Sequence, residues 1–457
     1  MHDSQKLSVK EKLAYGIGDY GINIAYTTLG FYIIFFLVNV AGLPAGLAGL
    51  IFLVARGWDA LTDYLMGVIS DRTVSRFGRR RVYLLFGAIP MGISFFLLWI
   101  TPFESTLHKF IYYLVATMMF NTAFTVVSIP YNAMVPDLSG DYDERTSIMG
   151  YRMGLTFVGN LFAAAGVAVI VDSLYGGKAH YRESYPVMGI IFGIIMAVCI
   201  FITFFGTRER VRAEVQRHVG GLRASLKTIM ALKEFRIILG MFLFNMIGFD
   251  LIQAIFIFYL KDVIMVSEDM TFVIMGIPLV VAVVAAPLWV YLGRKLGKNK
   301  SYIVAALYLS LVFLVSLFIK SGQLNFIIVV AVLAGVGISA TQIIPFSIIP
   351  DVIEIDEYEN GVRREGAFYG VTMFLYKVAS AVAISIASGI IGMFGYVENS
   401  MVPQPESALW SIRLLMGIGP GLFFMVSAVF VRMLPITRER FDRIREELEA
   451  RRAASVK

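Results

Sequence analysis

The chain has 457 residues, of which 58% are hydrophobic and only 16% are charged, and its mean hydropathy is +0.74. Soluble globular domains carry about 25% charged residues, so this composition excludes a soluble protein and indicates a polytopic membrane protein. The net charge is +7, and the basic residues cluster in loops between apolar segments. That pattern is typical of cytoplasmic loops, so we expect no nucleic-acid partner.

Cysteine and histidine usage excludes further classes. The single cysteine, Cys199, rules out a disulfide framework. The four histidines lie in the N-terminal tail or in loops and lack the spacing of a metalloprotease motif. Because no nucleophile and base fall together either, we expect no enzymatic activity.

Twelve apolar segments of about 20 residues or more follow one another along the chain. They cover residues 13–40, 45–70, 82–101, 108–135, 146–172, 184–206, 236–261, 269–293, 301–320, 325–350, 366–394 and 408–434. An even number places both termini on one side, and the loops on that side hold most of the Lys and Arg residues. The sequence therefore predicts an all-α, multi-pass protein of the cell inner membrane with both termini in the cytoplasm.

Short motifs recur in the same order in the two halves of the chain. Thr-Arg-Glu-Arg ends the sixth segment at 207–210 and the twelfth at 437–440. Asp19 in the first segment has a counterpart in Asp250 of the seventh, and Pro-Asp pairs follow the fourth and tenth segments. Together these matches predict two pseudo-symmetric six-helix bundles related by a parallel repeat, the plan of the major facilitator superfamily.

The repeat divides the chain into four parts. We expect an N-terminal bundle at 1–206, a cytoplasmic linker at 207–235, a C-terminal bundle at 236–434 and a cytoplasmic tail at 435–457. The linker is basic and amphipathic, so it either lies on the membrane surface or is a plain solvated connection.

The second apolar segment carries three ionisable residues on one helical face. Arg56, Asp59 and Asp63 stand at positions i, i+3 and i+7. A charge near the bilayer centre costs about 2.5–3.5 kcal/mol on insertion scales, so such residues face a protein interior or a water-filled cavity. One Arg with one Asp would be a structural ion pair, whereas the second carboxylate is available to a monovalent cation or a proton. We expect a cation-coupling site here, in the N-terminal half only.

Further polar groups lie inside other apolar segments. The fourth carries a stripe of Asn121, Thr125, Ser128 and Asn132, which either lines a substrate path or joins neighbouring helices. Asp19 and Asn23 are one turn apart in the first segment, Arg152 lies in the fifth, and Lys377 lies about half-way into the eleventh. Asp250 of the seventh segment is expected in a gate or charge network.

These residues lie in motifs that closely resemble the glycoside–pentoside–hexuronide:cation symporters, the family of the melibiose permease, within the major facilitator fold. The resemblance covers nearly all of the chain. Its motifs are KLAYGIGDYGINIAY in the first segment, ARGWDALTDYLMGVISDRTVSRFGRRR in the second segment and its loop, and SIPYNAMVPDLSGDYDERTSIMGYRM between the fourth and fifth.

The resemblance implies a role for each matching residue. It implies that three residues bind the cation: Asp59, Asp63 and Thr125. It implies that three residues surround the sugar cavity: Asp19, Arg152 and Lys377. Arg56 matches a partner in the charge network. Ser128 stands where melibiose carriers have a sugar-binding Asp, a departure that tells against an α-galactoside substrate.

The sequence therefore predicts a symporter that couples inward flux of Na+, or failing that H+, to uptake of a sugar, glycoside, oligosaccharide or uronide by alternating access. We expect three further residues to bind substrate: Asn23, Ser128 and Asn132. A carbohydrate substrate and the lipid bilayer are the expected partners, and the protein is expected to be a monomer. Two alternatives stay open: a cation-coupled carrier of lysophospholipids or other amphipaths, which a similar vertebrate branch transports, and a non-transporting membrane sensor.

Overall fold

The computed structural model describes residues 7–139, 142–210, 229–360, 365–398, 403–434 and 447. Within these ranges the chain forms long helices joined by short loops. Most of the predicted linker and tail, including the second Thr-Arg-Glu-Arg motif, lies outside the described residues.

The helices of the N-terminal half follow the predicted segments closely. They are α1 (Val9–Asn39), α2 (Ala45–Arg72), α3 (Arg81–Leu97), α4 (Thr106–Ala133), α5 (Tyr142–Ala168) and α6 (Tyr181–Gly206). A single helical turn, Val135–Leu138, follows α4, and a π-helical turn, Val169–Leu174, extends α5.

The second half repeats this series. Its helices are α7 (Lys233–Phe258), α8 (Glu268–Leu296), α9 (Lys298–Ser316), α10 (Leu324–Asn360), α11 (Glu365–Met393) and α12 (Glu406–Arg432). A π-helical turn, Tyr259–Ile264, extends α7. The tenth apolar segment was predicted to end at residue 350, which is wrong as the end of the helix, because α10 continues to Asn360. Hydropathy marks where the apolar residues stop, and the polar residues after them extend α10.

Helix length and composition confirm the predicted all-α membrane fold. Within the described chain, eleven helices are long and apolar enough to cross a membrane, and α3 is a shorter apolar helix of 17 residues. At 1.5 Å per residue α3 is about 25 Å long, against a hydrocarbon core of about 30 Å. α3 is therefore the short member of the twelve predicted membrane helices.

The chain divides into two compact units. Unit 1 consists of Met1–Arg217, Gln253–Leu279 and Ile384–Ile412, and unit 2 consists of the remaining segments, His218–Ile252, Val280–Ala383 and Arg413–Lys457. The domain boundaries predicted from the repeat stay a prediction.

Packing in unit 1 brings together the helices that carry the predicted polar site residues. α1 packs on α5 and α6, α2 packs on α4, and α3 packs on both α4 and α6. At the α3–α6 crossing Gly92 meets Gly193, and a Cβ atom built on Gly92 would lie 2.6 Å from the Gly193 carbonyl oxygen. Two backbones approach this closely only where neither residue has a side chain.

An Asp that pairs with basic residues occurs at the corresponding place in each half. In unit 1 the Arg79 and Arg80 side chains each lie 3.2 Å from the carboxylate of Asp137, in the turn after α4. In unit 2 the Lys298 ammonium lies 2.7 Å from the carboxylate of Asp351 on α10. In both halves a basic residue at the start of the third helix contacts the Asp of the Pro-Asp pair.

Candidate functional site

The two acids of α2 meet a hydroxyl group of α4. Asp59 and Thr125 are buried, with 4% and 1% of their surface exposed, and Asp63 is half-buried. The Thr125 hydroxyl oxygen lies 2.7 Å from Asp63 Oδ1 and 3.3 Å from Asp59 Oδ1. Three oxygens from two helices thus converge, and two of them belong to carboxylates.

Arg56 partly compensates the charge of this oxygen cluster. Its Nη1 lies 3.8 Å from Asp59 Oδ2, and its guanidinium carbon lies 5.0 Å from the centre of the Phe52 ring. At 3.8 Å the contact is longer than a hydrogen bond, so Arg56 acts on Asp59 mainly through charge. The predicted stripe of Arg56, Asp59 and Asp63 therefore does share one face of α2.

Neighbouring polar groups set the register of α2 against α4. Asn121 Nδ2 donates to the Ala55 carbonyl oxygen at 2.9 Å, and Trp58 Nε1 donates to the Thr122 hydroxyl at 2.9 Å. Asn121 thus joins α2 to α4. Of the two roles that the sequence left open for the polar stripe of α4, this is the joining of neighbouring helices. Both bonds lie within a turn of Thr125 and position its hydroxyl between the two acids.

The chemistry of this oxygen cluster suits a small hard monovalent cation. Carboxylate and hydroxyl oxygens are ligands for hard cations, and soft nitrogen or sulfur donors are lacking in the three residues. Across the described residues, no group of three or more His, Cys, Asp or Glu side chains forms a metal site. Two carboxylates and one neutral hydroxyl match a singly charged ion, or a proton shared by the acids.

A second polar cluster joins α1, α4 and α5. The Arg152 guanidinium donates to Asp19 Oδ1 at 3.0 Å and also to the Asn132 side-chain oxygen. The Thr156 hydroxyl donates to the other Asp19 oxygen. The structure thus brings together the predicted Asp19, Arg152 and Asn132. It also adds Thr156, which the sequence marks as a candidate site residue only by its place one turn after Arg152.

Two tyrosines support Arg152 from one side. The rings of Tyr15 and Tyr131 stack with centroids 4.6 Å apart, and each hydroxyl donates to the backbone carbonyl of the other residue, at 3.0 and 2.7 Å. The Arg152 guanidinium lies 5.2 Å from the Tyr131 ring centre. This cation–π contact holds the guanidinium plane in place without using its hydrogen-bond donors.

The remaining predicted residues of the first half lie close to these clusters in sequence. Asn23 is one turn from Asp19, but its amide donates to the Asp19 backbone carbonyl at 2.9 Å. Ser128 is buried on α4 between Thr125 and Asn132, with 5% of its surface exposed. Their predicted roles in substrate binding stay predictions.

Asp250 is the centre of a polar cluster in unit 2. It is buried on α7, with 6% of its surface exposed, and its Oδ2 accepts a hydrogen bond from the Tyr376 hydroxyl at 2.8 Å. The Ser380 hydroxyl donates to the same oxygen. Lys377 lies next to Tyr376 on α11 and is half-buried; its predicted contact with substrate stays a prediction.

The two π-helical turns of unit 1 supply an ion pair that sequence inspection misses. The Lys261 ammonium, in the turn after α7, lies 2.6 Å from Asp172 Oδ1, in the turn after α5. Lys261 also donates to the Tyr181 hydroxyl and lies 5.8 Å from the Phe35 ring centre. The predicted seventh segment ends at Lys261, whereas the π-helical turn continues the helix to Ile264 and directs the Lys261 side chain into the protein interior.

A neighbouring network centres on Tyr396. Its hydroxyl lies 2.7 Å from Asp262 Oδ2 and 2.8 Å from the side-chain oxygen position of Asn39. Burial, and next the Asp262 charge, raise the pKa of Tyr396 well above its ordinary value, so the hydroxyl keeps its proton. The single hydroxyl proton of Tyr396 can be donated to only one of these two oxygens, and the Asn39 Nδ2 position has no hydrogen-bond partner among the described residues. We therefore orient the amide with Nδ2 donating to Tyr396, which in turn donates to Asp262.

Comparison with known proteins gives relatives of matching length. The chain is 28% identical to an uncharacterised symporter of Synechocystis sp., over 98% of each chain. It is 28% identical to the Escherichia coli protein named "Putative glycoside/cation symporter YagG", over 98% of this chain and 96% of that protein. It is 27% identical to the zebrafish sodium-dependent lysophosphatidylcholine symporter 1-A, over 97% of this chain and 88% of that protein.

Solved structures agree on the fold. A bacterial homologue of the human lysosomal transporter Spinster matches with a TM-score of 0.69 and 14% identity, over 93% of this chain and 95% of that one. A bacterial homologue of the human peptide transporters PepT1 and PepT2 matches with a TM-score of 0.66 and 12% identity, over 94% of this chain and 99% of that one. The model of the family described as MFS/sugar transport protein matches residues 14–438. The chain therefore belongs to this family of the major facilitator superfamily and is a cation symporter.

Proposed function

We propose that this symporter couples inward movement of Na+ to uptake of a neutral carbohydrate by alternating access, with both termini in the cytoplasm. The observation that carries the proposal is the convergence of Asp59, Asp63 and Thr125 on one small volume between α2 and α4. Na+ takes oxygen ligands, and this cluster supplies two charged oxygens and one neutral oxygen.

Charge balance explains how a cation at this cluster is coupled to a conformational change. Asp59, Asp63 and Arg56 together carry one net negative charge when both acids are ionised. A buried net charge is costly at membrane depth, and one bound monovalent cation cancels it. The loaded cluster is therefore the one that can be closed off from water. A proton would cancel the charge equally well, but it has no need of Thr125 as a third ligand, which favours Na+.

α4 is the element shared by the cation cluster and the proposed substrate cluster. Thr125 contacts the acids of α2, and Asn132, seven residues further on, contacts Arg152. Seven residues span about 10 Å of helix. Pro130 lies between the two contacts inside α4 and donates no backbone hydrogen bond there, so the helix can bend at this point. Cation binding at one contact then changes the position of the other.

The substrate cluster suits an uncharged polyol. Asp19 and Arg152 form a pair 3.0 Å apart with no net charge, and Thr156 and Asn132 are polar neutral partners that substrate hydroxyl groups can replace. The family description as a sugar transport protein supports the same substrate class.

A lysophospholipid is the second candidate substrate. The zebrafish relative is named as a sodium-dependent lysophosphatidylcholine symporter, and Ser128 stands where melibiose carriers have a sugar-binding acid.

We expect Ser128→Asp to change the preferred saccharide while leaving the Na+ dependence unchanged. A cysteine at position 128 that polar thiol reagents fail to modify in every condition would instead place this residue in helix packing.

A ligand screen by thermal shift tests the substrate class. A ligand that binds only the folded protein raises the melting temperature by mass action. We expect saccharides to stabilise the purified protein more in NaCl than in choline chloride, and lysophosphatidylcholine to give no Na+-dependent shift. The reverse pattern would select the lysophospholipid carrier. Counterflow of the bound ligand in proteoliposomes separates a carrier from a membrane sensor, which binds without exchange.

A further inference from the structure

The two halves repeat one arrangement of side chains around a buried acid. In unit 1, Asp19 on α1 accepts hydrogen bonds from Arg152 and Thr156, one turn apart on α5. In unit 2, Asp250 on α7 accepts hydrogen bonds from two side chains one turn apart on α11, Tyr376 and Ser380. In each half the first helix therefore carries the acid and the fifth helix carries two donors one turn apart, and both donors are shifted by the same number of residues between the halves.

The donors differ in a way that bears on ligand chemistry. The first donor in unit 1 is the guanidinium of Arg152, whereas its counterpart in unit 2 is the phenol of Tyr376. Tyr376 and Ser380 each donate through a hydroxyl group, and both use the oxygen Oδ2. A substrate rich in hydroxyl groups can supply the same O–H···O contacts, so it can replace either side chain at Oδ2.

A purely structural role does not require a carboxylate at this position. Neutral groups already fix α7 to its neighbours five residues earlier, where the Asn245 amide donates to the Thr341 carbonyl at 2.8 Å and accepts from Tyr302 at 2.9 Å. Tyr302 also lies 2.5 Å from the Ser427 hydroxyl. An amide at position 250 would be enough to hold these helices together. A carboxylate at membrane depth is costly, and such a group is typical of a ligand pathway.

We propose that Asp250 is the hydroxyl-binding carboxylate of unit 2, the repeat-related counterpart of Asp19, and that it accepts a hydrogen bond from a hydroxyl group of the transported carbohydrate. The proposal rests on the proposed function for its substrate class. Tyr376 and Ser380 hold the carboxylate when no substrate is bound and give up Oδ2 when substrate arrives.

Binding of deoxy analogues tests this assignment. Affinities of the purified full-length protein are measured by calorimetry in NaCl for disaccharides, methyl glycosides and a hexuronide, and then for monodeoxy analogues of the tightest ligand. A hydrogen bond to a charged group contributes about 1.5–3 kcal/mol, so Asp250→Asn should weaken binding roughly ten- to hundred-fold. It should also reduce the wild-type discrimination against one monodeoxy analogue, because the amide oxygen accepts a weaker hydrogen bond than the carboxylate, while Ser380→Ala binds as tightly as wild type or tighter.

Matched variants separate the possible results. Asp351→Asn makes the same substitution at the Lys298 ion pair and should leave every affinity unchanged. Reduced discrimination at one hydroxyl in Asp250→Asn, with a saccharide affinity at or above the wild-type value in Ser380→Ala, supports the proposal. If Asp19→Asn weakens binding but Asp250→Asn keeps the wild-type deoxy pattern, the role of Asp250 is refuted and the proposed function stands. If wild type binds no saccharide, the proposed function itself fails, and the carbohydrate assignment of Asp250 fails with it.

Discussion

Replacing Asp63 with Asn removes one of the two carboxylates that face Thr125, yet it keeps a side chain of the same size and one carbonyl oxygen. The Thr125 hydroxyl lies 2.7 Å from Asp63 and can still donate to that carbonyl oxygen. The substitution therefore changes the charge of the cluster more than its shape. The substitution changes the summed charge of Arg56, Asp59 and position 63 from one negative charge to zero before a cation binds.

The loss of Na+ affinity follows from the lost charge. Two unit charges 4 Å apart attract by about 4 kcal/mol at an effective dielectric constant of about 20. Because Asp63 is half-buried and partly screened by water, we expect ~2–4 kcal/mol, which corresponds to a fall in Na+ affinity of roughly 30- to 1,000-fold.

Titration of the purified protein with NaCl at constant ionic strength measures this effect through the melting temperature and through binding of radioactive Na+. Glu104→Gln is the matched control, because Glu104 is an exposed acid outside the membrane helices that pairs with Arg182 at 3.0 Å. Its Na+ titration should equal that of wild type. A wild-type Na+ affinity in Asp63→Asn would refute the assignment of the cation to this cluster, and saccharide binding that survives in the variant would show that the fold is intact.

Three further predictions follow from particular contacts. Thr125→Ala should weaken Na+ binding by at least tenfold, because it removes a neutral oxygen ligand, and should leave saccharide binding in choline chloride unchanged; a wild-type Na+ affinity in this variant would contradict the reasoning. Gly92→Ala should lower the melting temperature because a Cβ would meet the opposing backbone at 2.6 Å, whereas Gly154→Ala, which meets nothing within 4 Å, should not. Lys261→Met alone should cost about 3–5 kcal/mol of stability because it removes the cation that pairs with buried Asp172, and combining it with Asp172→Asn should recover most of that loss, as a double-mutant cycle on thermal unfolding would show.

Spacing along one helix was enough to predict which residues share a face. Asp59 and Asp63 stand one turn apart, and the structure places both beside Thr125. The apolar segments likewise predicted the twelve long helices α1 to α12, with errors at the ends. α3 ends at Leu97 instead of residue 101, because the Leu98 and Trp99 amides bond to carbonyls three residues back and tighten the chain, which hydropathy does not register.

Contacts between helices were less predictable. The hydroxyl donors to the buried acids, Thr156 and Tyr376, carry no charge and so do not stand out in an apolar segment. The pair of Lys261 with Asp172 depends on two π-helical turns, and no residue pattern in the sequence marks a π-helical turn. Packing decides which side chains of different helices meet. The internal repeat was the one sequence feature that related residues on different helices to one another.

Accumulation of a saccharide in proteoliposomes under an inward Na+ gradient, with the membrane voltage clamped, tests the coupling of cation to substrate most directly. The saccharide is the tightest ligand of the binding screen, and the wild type is compared with Asp59→Asn and Asp63→Asn. We predict that wild type accumulates the saccharide above equilibrium only while the Na+ gradient lasts, and that both variants exchange it without accumulating it. Accumulation that follows a pH gradient and ignores Na+, or that persists at the wild-type rate in both variants, would contradict the account.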